Sequence, residues 1–414
     1  MKLRIMTAIM ILLFAVEICA GTPDNYDFSV IDLHADNASS KQINSVPALI
    51  DYLIRPAKNN REKVRAIFRW ISRNIEYDVD AFLNRKKITD DPIEVLKRGK
   101  AVCGGYAHLF KYMCLAAGIK SEVIVGWSRA FGEISSPDAN HAWNAVQIDQ
   151  TWYLLDVTWG AGYMNEQQQF IRKFNDHYFL TEPEQFIFDH FPEDEFWQLL
   201  NRPKSKREFN NLVMLRPAFF QNNLQVISHK KATIKAFDEL EVTLNAPTDR
   251  YITAILIKDN SELDANYCFI QRTNETVTIR LRFPVNGDYT LRIFVKEGRK
   301  AKTFDWACDY SVDVSNRNIY NSPFARQFAL FTDMDAVLYT PFSFRLAKQK
   351  KYNFEIRLKN AFDVAVINDE KLLHLKKDGD FFRGEFPLKK GPVRITAKID
   401  NTNEYHWLLE YEAD

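Results

Sequence analysis

Beyond residue 211 the chain stops reading as helix. Short runs with apolar residues at every second position follow one another: ELEVTL (239–244), YITAILI (251–257), TVTIRLRF (276–283), DYTLRIFV (288–295), YNFEIRL (352–358) and DVAVI (363–367). This alternation puts successive side chains on opposite faces of a strand, and strands at such density bury their apolar faces by closing into sandwiches. The apolar faces of Leu240, Val242 and Leu244 and of Phe354, Ile356 and Leu358 are alike, which predicts two related β-sandwich modules, 212–314 and 315–414.

Upstream the period is different. REKVRAIFRWISRNIE (61–76) carries Val64, Ile67, Phe68, Ile71 and Ile75 at helical spacing with basic residues on the other side, an amphipathic helix. A second helix is predicted from Cys103 to Ala117, stopped by Gly118, and after it SEVIVGW, HAWNAVQI and TWYLLDVT read as strands. One helix feeding an antiparallel sheet defines an α+β domain, placed at 21–200. The polar, basic NRPKSKREFNN (201–211) reads as a linker to the modules.

The first twenty residues stand apart. Lys2 and Arg4, the apolar run from Ile5 to Val16, and the small pair Ala20 and Gly21 predict a signal peptide over 1–20 and a secreted or extracytoplasmic destination. Glu17 interrupts the run too early for a membrane span, and no transmembrane segment is expected in the mature chain. With 55 basic against 54 acidic residues there is no long-range field to gather nucleic acid. Loss of Cys19 with the signal leaves Cys103, Cys114, Cys268 and Cys308, too few for a disulfide scaffold. An oxidising destination would still permit a bridge between Cys268 and Cys308, which fall in one module.

Cys103 opens its helix and is followed by Gly104 and Gly105. At that position the positive end of the helix favours a thiolate, and the glycines leave room for a substrate backbone and free N–H groups for an oxyanion. Cys103 also shares a helix face with Ala107, Phe110, Cys114 and Ala117, so by itself it reads as core before it reads as catalyst. His141 and Asp156 change the balance. If Asp149 and Gln150 form a two-residue turn, Trp143 faces Asp156, and His141 becomes a diagonal neighbour of Asp156 on the same side of the sheet. A carboxylate among Leu154, Leu155 and Val157 must be paired, and an imidazole it orients could take a thiol proton. His108 turns away from the sulfur. No CxxC, HExxH, calcium-loop or phosphate-loop spacing is present, so no cofactor and no metal are expected.

The stretches VRAIFRWISRNIEYD, AVCGGYAHLFKYMCLAAGI, NHAWNAVQIDQTWYLLDVTWGAG and HYFLTEPEQFIFDHFPEDEFWQLL resemble the transglutaminase-like superfamily, and within it the kyphoscoliosis peptidase family. The resemblance implies a papain-like α+β fold with Cys103 as nucleophile, His141 as general base and Asp156 as the residue orienting it, followed by Ig-like β modules. It implies a thiol enzyme acting on protein amide bonds as peptidase or amidase, with a protein or peptide as substrate. A crosslinking transglutaminase and a non-catalytic adhesion or scaffold protein, whose β modules bind other proteins, are the alternatives. The tryptophan that some transglutaminases place beside the oxyanion has no assigned counterpart, since Trp70 fits equally as helix packing.

Overall fold

The computed structural model describes residues 26–38, 45–86, 88–129, 138–165, 167–315, 322–347 and 351–414. The expected signal peptide, Cys19 included, lies outside them. Among the described residues no helix is long and apolar enough to cross a membrane.

The amphipathic helix spans Asn60–Asn74, capped by Asn59, whose side chain accepts from the Glu62 amide at 2.9 Å. It buries Val64, Ile67, Phe68, Trp70 and Ile71. Its buried Arg65 forms a two-pronged pair with Asp32 at 2.7 Å, on a Ser29–Asp36 helix that the sequence pattern does not announce. The second helix, Cys103–Ala116, packs beside it, and Gly118 follows in the left-handed conformation, as a helix stop requires.

Ser121–Ser128, His141–Ile148 and Thr151–Leu155 form the expected antiparallel sheet, and a short fourth strand, His190–Pro192, adds to the Ser121–Ser128 edge. Asp149 and Gln150 both have positive φ, 47° and 67°, as a tight two-residue hairpin turn needs. The register follows: Ile148 faces Thr151 and Asn144 faces Leu155. One boundary differs from the expected strand. It ends at Leu155, and Asp156 caps a five-residue helix, Val157–Ala161, because its carboxylate accepts from the Thr158 and Trp159 amides.

The stretch 201–211 is not a bare linker. It holds a helix, Lys206–Asn210, closed by a capping box between Ser205 and Glu208. Burial of Phe209 against Phe191, ring centroids 5.2 Å apart, folds it back onto the thiol domain. Arg129, also buried, donates to the Phe188 and Leu212 carbonyls at 3.0 and 2.8 Å, tying that domain to the start of the first module.

The two modules repeat strand for strand. In the first, a four-stranded sheet runs Gln225–Val226, Glu239–Asn245, Thr276–Arg282, Cys268–Thr273; in the second, Val337–Thr340, Tyr352–Arg357, Phe381–Phe386, Lys376–Asp378. In the facing sheet of each, the last strand of the module, Asp305–Val314 or His406–Ala413, carries one parallel and one antiparallel short strand along its outer side. Even the register shift against the preceding strand recurs, at Ile293/Phe294 and Ile395/Thr396. Leu240, Val242 and Leu244, like Phe354, Ile356 and Leu358, are buried in their modules. Phe269, on an edge strand of the first module, crosses into the core of the second. Cys268 and Cys308 are free and lie on different sheets of the first module, each packed as a small apolar side chain, so the anticipated bridge is not formed.

Candidate active site

Three elements converge on Cys103. The helix start carries the thiol, the start of the central strand carries His141, and the cap after the partner strand carries Asp156. Nε2–H of His141 donates to Oδ2 of Asp156 at 2.7 Å, and the Cys103 thiol is the other side chain that acts on the ring. The Ala142 amide also favours the thiolate form of Cys103. His108 is exposed.

The electrostatics follow from this arrangement. Burial pulls the Cys103 thiol upward, but its hydrogen bond to His141 and the charge of that ring outweigh it and hold the thiol below its ordinary value. Burial by itself would depress His141; the Asp156 carboxylate and then Cys103 reverse this and push the ring up to about 10. Burial opposes ionisation of Asp156 too, yet His141 and His190 hold it well below the usual carboxylate range. Together these directions describe a thiolate paired with an imidazolium. Cys114, wholly buried without a partner, is driven the other way.

His190 is the residue the sequence reading passed over. Its Nε2 lies 3.0 Å from the same Asp156 oxygen that His141 uses, and its Nδ1 lies 2.6 Å from Oδ1 of Asp189, whose Oδ2 accepts from the Tyr178 hydroxyl at 3.0 Å. A signal was there: an Asp-His pair inside FIFDHF is costly to bury unless both side chains are satisfied. Ring contacts enclose it, Phe186 stacking at 4.1 Å, with Trp159 and Trp143 at 4.6 and 5.0 Å.

His141, Asp156 and His190 each place one donor atom within 4.8 Å of the others, a grouping able to hold a metal ion. Their separations of 2.7 and 3.0 Å are hydrogen-bond lengths, and the second carboxylate oxygen is already taken by two helix amides, so the set is complete through shared protons.

The glycine pair has a packing role beyond the expected opening for substrate. A Cβ on Gly105 would lie 2.7 Å from the Ala101 Cβ, and one on Gly104 would lie 2.7 Å from the Asp90 carboxylate. Trp70 is resolved as helix packing, its indole N–H donating to the Ala38 carbonyl at 3.3 Å. A groove of about 420 Å³ is lined by Glu76, Tyr77, Asp78, Asp80, Lys100 and Phe170; the Tyr77 backbone pairs with Ala101, two residues before Cys103.

Residues 47–157 match the transglutaminase-like superfamily, and residues 206–325 match the KY-like, immunoglobulin-like domain. The chain is similar to the kyphoscoliosis peptidase of Homo sapiens, 30% identical over 66% of this chain and 41% of that protein. It is also similar to the Lim and transglutaminase domain protein ltd-1 of Caenorhabditis elegans, 29% identical over 64% and 40% of the two chains, and to Hillarin of Drosophila melanogaster, 27% over 66% and 37%. The chain thus spans about two fifths of the length of these relatives. The Cys103 helix and the hairpin that presents His141 and Asp156 are therefore part of a transglutaminase-like domain, followed in the chain by a KY-like immunoglobulin-like domain.

Proposed function

We propose that this chain is a secreted thiol enzyme that opens protein amide bonds through Cys103, His141 and Asp156 by way of an acyl-enzyme resolved by water. The observation that carries the reading is His141, held by Asp156 at 2.7 Å on a strand that packs against the Cys103 helix, where its ring acts on the Cys103 thiol. The Cys103 thiolate adds to the amide carbon, and the carbonyl oxygen takes the negative charge against backbone N–H groups at the helix start. Collapse breaks the C–N bond, and the amine leaves with the proton held by His141. Neutral His141 then takes a proton from water as its oxygen attacks the thioester, releasing the carboxylic acid and restoring the thiol.

The groove favours water over a lysine amine as acceptor. Its carboxylates are already engaged, Glu76 by Lys100 at 2.8 Å, Asp78 by Arg98 at 2.7 Å and Asp80 by Lys86, so they present little unbalanced negative charge to a cation. Secretion rests on the basic and apolar pattern of residues 1–20.

The test has two stages. Labelling with an acyl-transfer probe, read by mass spectrometry, should modify Cys103. Incubation with a glutamine-rich substrate and excess labelled primary amine should then release ammonia without matching incorporation of label. Equal amounts of both would make the protein a crosslinking transferase instead. An unmodified Cys103 and neither product, across a broad substrate panel, would favour the scaffold role.

A further inference from the structure

His190 is buried and lies between two carboxylates. Nδ1 faces Asp189 Oδ1 at 2.6 Å and Nε2 faces Asp156 Oδ2 at 3.0 Å. An ionised carboxylate has only acceptor sites, so each ring nitrogen must supply a proton to make its bond, and a ring protonated on both nitrogens is a cation. Neither carboxylate has a bond that asks it to be the donor. Asp156 accepts from His141 and His190 on Oδ2 and from the Thr158 and Trp159 amides on Oδ1; Asp189 accepts from His190 and from the Tyr178 hydroxyl. The result is a line of alternating charge: Cys103 thiolate, His141, Asp156, His190, Asp189.

We propose that His190 is a positioning residue kept cationic at neutral pH, locked by Asp189, which holds Asp156 in place and sets the pH range over which the Cys103–His141 ion pair exists. This rests on the reading of Cys103, His141 and Asp156 as the reacting set. The physical argument is the sharing of one oxygen. A positive ring on Asp156 Oδ2 takes up part of the carboxylate's negative charge, so His141 releases its proton more easily than it would with Asp156 to itself. The same positive charge favours the Cys103 thiolate. Loss of the His190 charge should therefore raise both titrations and displace the ion-pair window to higher pH. The other charged and titratable groups around the array are Arg129, His177 and Arg216, which act on Asp189, Tyr178, whose hydroxyl donates to it, and Tyr77 and Tyr106, which face Asp156 and, for Tyr77, Cys103, and which burial keeps neutral. Burial drives His177 toward the neutral form, so it does not replace His190 as the cation.

Two substitutions in the full chain separate charge from contact. Asp189→Asn removes the second carboxylate but can donate to Nδ1 of a neutral His190, which keeps Nε2–H on Asp156. His190→Gln removes the charge outright. The readout is the rate of iodoacetamide alkylation at Cys103 against pH, followed by mass spectrometry, with a thermal melt of each variant to establish folding. Both variants should move the two inflections of the profile upward by about one pH unit. A D189N protein that folds and gives the wild-type profile would overturn the proposal; if H190Q does not fold, D189N decides by itself. Should Cys103 react no faster than Cys114 at any pH, the reading of the reacting set fails. The ¹⁵N resonances of the His190 ring then still decide its charge: two protonated nitrogens at about pH 8 support the cation, and one bare nitrogen rules it out.

Discussion

Oδ2 of Asp156 lies 2.7 Å from Nε2 of His141 at the point where a strand turns into a helix. The carboxylate therefore does two jobs at once, orienting the imidazole through one oxygen and capping the Val157–Ala161 helix through the other. Asp156→Asn keeps much of the cap but presents an amide to two imidazoles. It is expected to lower turnover on the order of 10³–10⁴-fold with a modest effect on melting. Asp156→Ala removes the cap and leaves His190 and His141 without their shared counter-ion, which is expected to cost about 3–5 kcal/mol in a urea denaturation. Equal stability loss in both variants would mean that the carboxylate's charge, and not its cap, holds the fold here.

Cys103 is expected to be alkylated well ahead of the other thiols. It is half-buried and partnered by His141, whereas Cys114, Cys268 and Cys308 are buried and driven upward by burial, Cys268 to about 12. Peptide mapping after brief treatment with iodoacetamide should find label at Cys103 first. Cys103→Ala should abolish acyl transfer and change stability by less than about 1 kcal/mol.

The charged array predicts how stability varies with pH. Asp156 and Asp189 are held below the ordinary carboxyl value of 3.8, so the stability they contribute is full above that value and is lost as pH falls beneath it. His141 and His190 are held above the ordinary imidazole value of 6.5, so their contribution is full below it and is lost as pH rises, for His141 through about 10. Cys103 and His177, both held below their ordinary values, add stability as pH rises, so the urea midpoint of the thiol domain should peak at about pH 6.5, fall toward and below about pH 4, and decline above 6.5 as His141 and His190 together outweigh Cys103. A midpoint still rising above pH 8 would contradict the assignment of charges.

The two glycines after Cys103 should differ in their tolerance of a methyl group. Gly105→Ala would drive a Cβ to 2.7 Å from the Ala101 Cβ and 3.1 Å from Val95 Cγ2, both on packed elements, and is expected to cost about 1–3 kcal/mol. Gly104→Ala meets the far end of the exposed Asp90 side chain, which can swing aside. Differential scanning calorimetry should show G105A melting earlier than G104A. The reverse order would mean that Asp90 is held rigidly over the helix start.

Phe269 is fully buried in the core of the second module although its strand belongs to the first. It touches Phe324, Phe331 and Phe342 at ring distances of 5.7, 5.5 and 5.4 Å. Phe269→Ala is expected to destabilise the second module by about 3–5 kcal/mol. Limited proteolysis should then cut within 326–414 before it cuts the first module, and an unchanged digestion pattern would show that the crossing ring contributes little.

The α+β character of the first domain, the alternating strands of the modules and the meeting of His141 with Asp156 were legible in the chain itself. Each rests on local rules: helical spacing in REKVRAIFRWISRNIE, period two in TVTIRLRF, and an even, two-residue turn at Asp149 and Gln150 that leaves only one register. The contribution of His190 was not legible in this way. His190 is 34 residues from Asp156, and the short edge strand that delivers it pairs with Ser121–Ser128 and not with the strand bearing His141, so no spacing rule links the two. The same holds for Phe209, which turned a polar stretch back onto the thiol domain, and for Cys268 and Cys308, which a sandwich placed on separate sheets. Local sequence selects the elements because backbone geometry repeats over a few residues. Which side chains meet across the chain depends on how those elements pack, and burial then decides which of them must share a proton.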